Sequence, residues 1–265
     1  AVSPTYAREL KCAYFAHGLE NVMRMSEGKL HGVLNGIDMK RYDPAHDESL
    51  AAPYSADDLA GKRRDKAALQ KLLGLQERPD TPILAMVTRL VSHKGLDLVC
   101  ETLDTIMEKD VQLVVLGKGE AKYETFFEYA KQRYGGRMAV HLGYSEELAM
   151  QIYAGADLFL MPSKSEPCGL SQMIAMRYGT VPIVRETGGL KDTVHAYEAW
   201  NGAGNGFSFA DYNAGDMCHV VCEAIDLYHN NKDAYAALQK RGMTADFSWT
   251  RSAKAYNDIY RSICR

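Results

Sequence analysis

Residues 157–193 read DLFLMPSKSEPCGLSQMIAMRYGTVPIVRETGGLKDT, and this stretch decides the fold. The apolar run at 158–161 is short and ends at Pro162, which favours a buried strand over half a helix. A second apolar run at 181–184 predicts the next strand, and a turn follows each run. The stretch therefore predicts strand, loop, helix, strand and turn in succession, as in a parallel α/β sheet.

The loop between these two strands leads into a predicted helix. Pro167 has no N–H group to lose and its φ is already helical, so it suits the first turn of a helix. Ser163 and Ser165 lie just upstream as possible caps. Glu166 and Cys168 would then lie at the mouth of that helix, at the carboxyl end of a strand, where ligands bind in open α/β sheets.

The second turn is Thr187-Gly188-Gly189, directly before a possible helix start at Leu190. Two glycines let backbone N–H groups approach a bound group closely, and the dipole of a helix start favours a phosphate. The same two glycines would also make a tight turn without any ligand. The residues alone leave both interpretations open.

The alternation of strand and helix continues along the rest of the chain. Apolar runs predict further strands at 83–88, 112–116, 139–142 and 206–209. Helical spacing of apolar residues predicts helices at 66–73, 95–108, 146–153, 215–228, 233–241 and 248–263. Residues 42–62 and 195–205 predict irregular connections, and residues 30–34 allow a short strand. This spacing indicates βαβ units and a Rossmann-like parallel sheet flanked by helices.

Composition narrows the class of protein. A chain of 265 residues can bury a sizeable core as one large α/β domain or two small ones. The formal net charge is −3, with both signs mixed along the chain, so a nucleic-acid or anionic-membrane surface is not expected. No apolar run approaches the roughly 18 residues of a membrane span, and the first residues lack the pattern of a secretory signal. We expect a soluble protein.

The six cysteines contain no CxxC pair and are too sparse for a disulfide scaffold. Cys218 and Cys222 share a helix face with His219 beside them, which raises the possibility of a metal site. Two thiols and one imidazole that points sideways do not complete a four-ligand zinc site. Packing as small buried hydrophobes is the favoured interpretation. We expect no metal and a reducing compartment.

Arg89 and Lys94 lie where the strand at 83–88 meets its helix, in TRLVSHKG. An Arg fork and a Lys point charge around such a turn can hold two phosphates and neutralise a departing diphosphate. Two ordinary basic residues in a solvated loop are the alternative, and the pair alone favours it.

Tyr144 follows the predicted strand at 139–142. A ring at a strand end can stack on a nucleobase, which contributes about 1–3 kcal/mol per base elsewhere. Packing in the core is the alternative for a lone tyrosine. Gly117 and Gly119 form a partial G-x-G without the third glycine, which is a weak dinucleotide signal.

Several motifs together give the chain a family resemblance. The stretch quoted first resembles the bacterial glycogen synthase and plant starch synthase family in its patterns P-S-x-x-E-P-C-G-L-x-Q and Y-G-T-x-P-x-V-R-x-T-G-G-L. SPTYAREL and GVLNGID near the start, and DFSW near the end, resemble the same family. The resemblance covers nearly the whole chain.

The resemblance implies the C-terminal, nucleotide-sugar-binding domain of a GT-B type glycosyltransferase. It implies an interdomain junction and domain start at 1–40, a Rossmann-like domain at 41–245 and a C-terminal crossing helix at 246–265. The N-terminal acceptor domain would be absent, and we therefore expect the chain to be a piece of a longer protein.

The resemblance also implies an activity and its residues. The activity is transfer of glucose from ADP-glucose to the non-reducing end of an α-1,4-glucan with retention, without a cofactor or metal, in the bacterial cytoplasm or the plastid stroma. The acceptor would bind mostly through the missing domain, and neither nucleic acid nor membrane is an expected partner.

The resemblance also assigns roles to individual residues. Arg89 and Lys94 match the family's phosphate clamp R-L-x-x-x-K-G. Glu166 matches its active-site carboxylate near the transferred sugar. The remaining donor contacts would be backbone N–H groups for sugar hydroxyls and a phosphate, and one ring for the base: Cys168, Gly169, Leu170, Thr187, Gly188, Gly189 and Tyr144.

Two rival functions remain open at this stage. A retaining transferase that uses a UDP- or GDP-sugar and a small acceptor would share the sheet and the carboxylate. A non-catalytic nucleotide- or glucan-binding module is the other. The combined presence of Arg89, Lys94 and Glu166 argues against such a module, since pure glucan binding would rest mainly on exposed aromatic rings.

Overall fold

The computed structural model describes residues 1–264, and its core is a parallel sheet. The strands are Ile83–Val87 (β1), Gln112–Gly117 (β2), Met138–Leu142 (β3), Leu158–Met161 (β4), Val181–Arg185 (β5) and Phe207–Phe209 (β6). They pair in the order β3-β2-β1-β4-β5-β6, and every pair is parallel. The predicted fold class and the six predicted strands are confirmed.

Helices cover both faces of the sheet. They are Pro4–Glu9 (α1), Ala13–Ala16 (α2), Glu20–Met25 (α3), Ala60–Leu72 (α4), Leu96–Glu108 (α5), Ala121–Arg133 (α6), Glu146–Gly155 (α7), Ser171–Arg177 (α8), Gly188–Thr193 (α9), Ala214–Asn230 (α10), Lys232–Thr244 (α11) and Trp249–Ile263 (α12). Among the described residues, no helix is both long and apolar enough to cross a membrane. The predicted crossing-helix range 246–265 ends outside the described residues, and its role stays a prediction.

Two hydrophobic clusters lie on the opposite faces of the sheet. Side chains of a strand point alternately to the two faces. Leu84 and Met86 of β1 accordingly pack with α5, α6 and α10, while Ile83 and Ala85 pack with α4, α7 and α8. Cys218 belongs to the first cluster, which agrees with its predicted packing role.

The strand order contains one switch point, between β1 and β4. The chain leaves β1 towards β2 on one side and leaves β4 towards β5 on the other. In open α/β sheets the crevice outside the carboxyl ends at such a point is where ligands bind. The order therefore brings the loops at 88–95 and 162–170 side by side.

The helix after β4 begins later than its proline predicts. α8 starts at Ser171 rather than near Pro167, because Gly169 has a φ of +69°, which is incompatible with a right-handed helix. Leu170 is the N-cap and has no side-chain cap bond. The hydroxyl of Ser163 donates to Glu166, not to a helix terminus.

Two further expectations for irregular regions need correction. α4 begins at Ala60, within the predicted connector and six residues before the predicted start. Its inward face carries charged residues, so an apolar pattern could not reveal its first turn. Residues 30–34 form no strand, although the nearby Ile37 makes a single bridge to Ser248.

A buried ion pair joins α4 to the amino end of the sheet. The ammonium of Lys66 lies 2.8 Å from a carboxylate oxygen of Asp157, and the two side chains are 6% and 9% exposed. Lys66 also donates to the hydroxyl of Tyr228, and Asp157 accepts from the N–H of Ile83. Each charge is therefore hydrogen-bonded on more than one side, as burial requires.

We expect Lys66→Met to lower the free energy of unfolding by about 3–5 kcal/mol, because it leaves the Asp157 charge buried without its partner. Urea unfolding followed by circular dichroism measures this. The matched control is Lys109→Met, which removes a solvent-exposed ion pair with Asp226 and should change stability little. Equal losses in the two variants would contradict a special role for the buried pair.

Candidate functional site

A lysine and a glutamate meet at the switch point. Lys94 comes from a short 3-10 turn after β1, and Glu166 comes from the loop after β4. The Lys94 Nζ lies 2.5 Å from Glu166 Oε2, and the side chains are 16% and 12% exposed. The Ser163 hydroxyl donates to the same oxygen at 3.3 Å. Two residues 72 positions apart, both predicted for the site, are thus brought together.

A glycine allows these two loops to approach each other. Gly95 has a φ of +75°, and a Cβ added there would lie 2.0 Å from the carbonyl oxygen of Pro162. No side chain can occupy that space. The Lys-Gly step of the clamp pattern therefore has a structural reason, which is to let the β1 and β4 loops pack backbone to backbone.

Arg89 adds a second positive charge to the same loop. Its side chain is exposed, and within the described residues its guanidinium makes no hydrogen bond or ion pair, which leaves its donors available to an anion. The neighbouring His93 lies close to the positive charges of Arg89 and Lys94. Burial first, and then the charges of Lys94 and Arg89, lower the pKa of His93. An imidazole with a lowered pKa stays neutral near pH 7, so the loop's charge there comes from Arg89 and Lys94.

The turn before α8 presents unused donors. The backbone N–H groups of Cys168, Gly169 and Leu170 make no hydrogen bond within the described residues. The Cys168 thiol is buried, and this burial raises its pKa. The thiol is therefore packed and protonated, while the adjacent N–H groups remain able to bind sugar hydroxyls.

The turn after β5 differs, because its donors are already engaged. The N–H of Gly188 donates to both carboxylate oxygens of Glu9, at 3.0 and 3.1 Å, and the Thr187 hydroxyl donates to one of them at 2.9 Å. The N–H of Gly189 donates to the carbonyl of Glu166 at 3.1 Å. A phosphate at Gly188 would need Glu9 to leave, so this part of the predicted site stays a prediction.

Backbone packing accounts for both glycines of this turn. A Cβ added at Gly188 would lie 2.0 Å from the carbonyl oxygen of Glu166, and one at Gly189 would lie 1.9 Å from that of Cys168. The tight-turn interpretation, left open by the sequence, therefore has direct support. Sequence reasoning missed Glu9, because nothing in SPTYAREL indicates that its acid reaches a turn 178 residues further on.

Tyr144 lies at the same edge of the sheet, on the β3 side. Its side chain is 83% exposed, so core packing is excluded. The N–H of Gly143 donates to the carbonyl of Gly117, which holds the turn beside β2. Whether the ring receives a nucleobase stays a prediction.

The carboxyl edge thus carries an exposed ring after β3, two cations after β1, and a carboxylate and free N–H groups after β4. Cations can bind a diphosphate, free N–H groups can bind hydroxyls, and a ring can stack on a base. The arrangement suits a ligand that combines all three chemical groups, such as a nucleotide-sugar.

Comparison with known proteins agrees with this arrangement. The family model described as glycosyl transferases group 1 matches residues 74–242. Glycogen synthases of Bacillus cereus and Streptococcus equi subsp. equi are 52% and 48% identical over 99% of this chain and 55% of their own length. The chain therefore spans about half the length of these relatives.

A solved structure supports the same relationship. The catalytic domain of starch synthase IV from Arabidopsis thaliana, bound to ADP and acarbose, superposes with a TM-score of 0.93 and 38% identity. The match covers 100% of this chain and 55% of that one. The family resemblance inferred from the motifs is confirmed. Because the family model covers well over half of the sequence and its relatives align along nearly all of it, the chain belongs to the glycosyl transferases group 1 family.

Proposed function

We propose that this chain is the donor-binding half of a glycogen or starch synthase, which transfers glucose from ADP-glucose to the non-reducing end of an α-1,4-glucan with retention. The contact of Lys94 with Glu166 carries the proposal. It joins a cation suited to a diphosphate and the carboxylate expected beside the transferred sugar. The 52% identity to a glycogen synthase of Bacillus cereus supports the same assignment.

The two cations would bind the diphosphate of the donor. The Lys94 ammonium has three N–H donors, and its contact with Glu166 uses one of them. The guanidinium of Arg89 adds a planar fork that matches phosphate oxygens. As the bond from the anomeric carbon to the diphosphate breaks, negative charge builds on the leaving ADP, and both cations stabilise it. The proposal needs no metal ion for this step.

Glu166 would act on the sugar side of the same bond. Glycosyl transfer passes through a transition state with positive character on the sugar ring. A carboxylate held near the ring stabilises that charge, so we assign Glu166 to donor-sugar binding and transition-state support rather than to nucleophilic attack. The N–H groups of Cys168, Gly169 and Leu170 would orient the sugar through its hydroxyls.

The rest of the proposal concerns the longer protein. The relatives are nearly twice as long as this chain, and their additional half would supply most of the acceptor site and part of the donor site. The bacterial source of these relatives favours the cytoplasm over the plastid stroma as the location. The ADP named for the starch synthase structure favours an adenine donor over a UDP- or GDP-sugar.

We expect this chain to bind ADP more tightly than UDP, and Lys94→Ala to weaken ADP binding about tenfold or more. The reason is the loss of a charge-assisted hydrogen bond, which contributes about 1.5–3 kcal/mol. Isothermal titration with ADP, UDP and ADP-glucose measures the affinities. Lys109→Ala, which removes an exposed cation on the amino side of the sheet, is the matched control. Equal affinity for ADP and UDP, or no effect of Lys94→Ala, would contradict the donor assignment.

We expect Tyr144→Ala to weaken ADP binding by about 1–3 kcal/mol, the contribution of one base stacked on a ring. Tyr144→Phe should retain most of the affinity, since the ring is kept. Tyr129→Ala removes another exposed tyrosine, on α6, and serves as the control in the same titration. A loss with Phe as large as that with Ala would show that the hydroxyl, not stacking, is the contact.

We expect the 265-residue chain alone to bind ADP-glucose weakly and to elongate glucans little, because the proposed acceptor site lies mostly in the other half. Incorporation of labelled glucose from ADP-glucose into glycogen measures this. The full-length glycogen synthase of Bacillus cereus is the positive control. Comparable turnover by the two proteins would contradict the proposal that the acceptor site lies mostly in the other half.

A further inference from the structure

The first helix of the chain lies on the two turns of the proposed donor site. The Ser3 hydroxyl donates to the carbonyl of Pro167 at 2.6 Å, and Ser3 is fully buried. Thr5 donates from its N–H and its hydroxyl to the carboxylate of Asp192 on α9, at 2.8 and 2.6 Å. Glu9 reaches the start of α9. Residues 3–9, which we call the N-terminal segment, therefore hold the β4 loop and α9 together.

The Glu9 carboxylate is bound as an external anion would be. It accepts from one backbone N–H and one hydroxyl, those of Gly188 and Thr187. Within the described residues, no Lys, Arg or His side chain pairs with it, although Lys or Arg pairs with an acid at 12 other places there. The Gly188 turn is therefore an anion site, and the anion that it holds belongs to the protein.

The contacts continue from Glu9 to the proposed active-site carboxylate. Glu9 fixes the first residue of α9, and the next residue, Gly189, donates its N–H to the backbone carbonyl of Glu166. The following carbonyl, that of Pro167, is held by Ser3. The N-terminal segment thus holds the backbone carbonyl of Pro167 directly, through Ser3, and that of Glu166 indirectly, through α9.

We infer that Glu9 is a positioning residue, which fills the Gly188 anion site so that a donor phosphate cannot enter it and holds the Glu166 loop in place. The inference rests on the proposed donor function for its consequence on ADP binding. In this scheme the diphosphate binds Arg89 and Lys94, beside the free N–H groups before α8 that face the donor sugar. The Gly188 turn takes no part in binding the donor.

Amide chemical shifts of the ¹⁵N-labelled chain test this inference, with ADP and inorganic phosphate as the probes. In the wild type, ADP should shift the Gly169 and Gly95 amides, while the shift of Gly188 stays small with either probe. In Glu9→Ala the vacated turn should bind phosphate, with a saturable Gly188 shift and an affinity roughly tenfold above that of the wild type, as one charged hydrogen bond provides. ADP affinity should fall several-fold, because the Glu166 loop loses a support.

Two further variants distinguish the effect of the Glu9 charge on phosphate binding from the effects of its shape and of removing any acidic side chain. Glu9→Gln retains an oxygen acceptor for Gly188 and fills the same space, so phosphate should not enter. Glu27→Ala removes an exposed acid that pairs with Lys11, and it should change neither probe's binding. If Glu9→Ala does not fold, the wild-type ADP spectrum still tests the inference, because a Gly188 shift as large as that of Gly169 would overturn it.

Two results would overturn the inference. One is an ADP-induced shift of Gly188 in the wild type as large as that of Gly169, which would mean that phosphate displaces Glu9. The other is phosphate binding at Gly188 that is no tighter in Glu9→Ala than in the wild type. If ADP shifts no glycine amide, the proposed donor function fails, whereas phosphate binding by Glu9→Ala still reports on the anion site.

Discussion

The proposed donor site depends on a close contact between backbones. The loop at 162–169 lies between the β1 loop and the start of α9, and it touches a glycine on each side. A Cβ at Gly95 would lie 2.0 Å from the Pro162 carbonyl oxygen, and one at Gly188 would lie 2.0 Å from that of Glu166. Real Cβ atoms never approach so closely, so any side chain would push the loops apart. The position of Glu166 therefore follows from three segments that can pack only through glycines.

This packing determines the electrostatics of the site. With the loop held, the Glu166 carboxylate faces Lys94 at 2.5 Å in a largely buried position. Removing two charges from water is costly unless each is hydrogen-bonded, and the Ser163 hydroxyl supplies one further bond. Glu166 holds the Lys94 ammonium in place without a ligand. A bound diphosphate would therefore meet a cation whose position is already set. Such preorganisation avoids a reorganisation cost during reaction.

Much of the fold could be predicted from the sequence, because buried parallel strands appear as short apolar runs. Where polar residues turn inward, the prediction failed. α4 buries Lys62 and Lys66, which bond to carbonyls, hydroxyls and Asp157 beneath the helix, so its first turn had no apolar signature. The start of α8 was missed because Pro167 predicts a helix locally, whereas the positive φ of Gly169 prevents one.

At this site the sequence motifs identify residues, but they do not identify the contacts between those residues. Lys94 and Glu166 could be named from their motifs, but their contact required the strand order that makes β1 and β4 neighbours. The Gly188-Gly189 pair is more ambiguous, since glycines permit approach by a phosphate or by another backbone. Here only the N–H of Gly188 faces the carboxylate of Glu9, whereas the N–H of Gly189 and the Cα positions of both glycines face the Glu166 loop. One pair of residues thus satisfies both requirements, and the anion comes from an acid that is distant in sequence and near in space. The glycine-rich turn at Gly188 is therefore an anion site, but the contact with Glu9 leaves its N–H no longer free for the anion of a ligand.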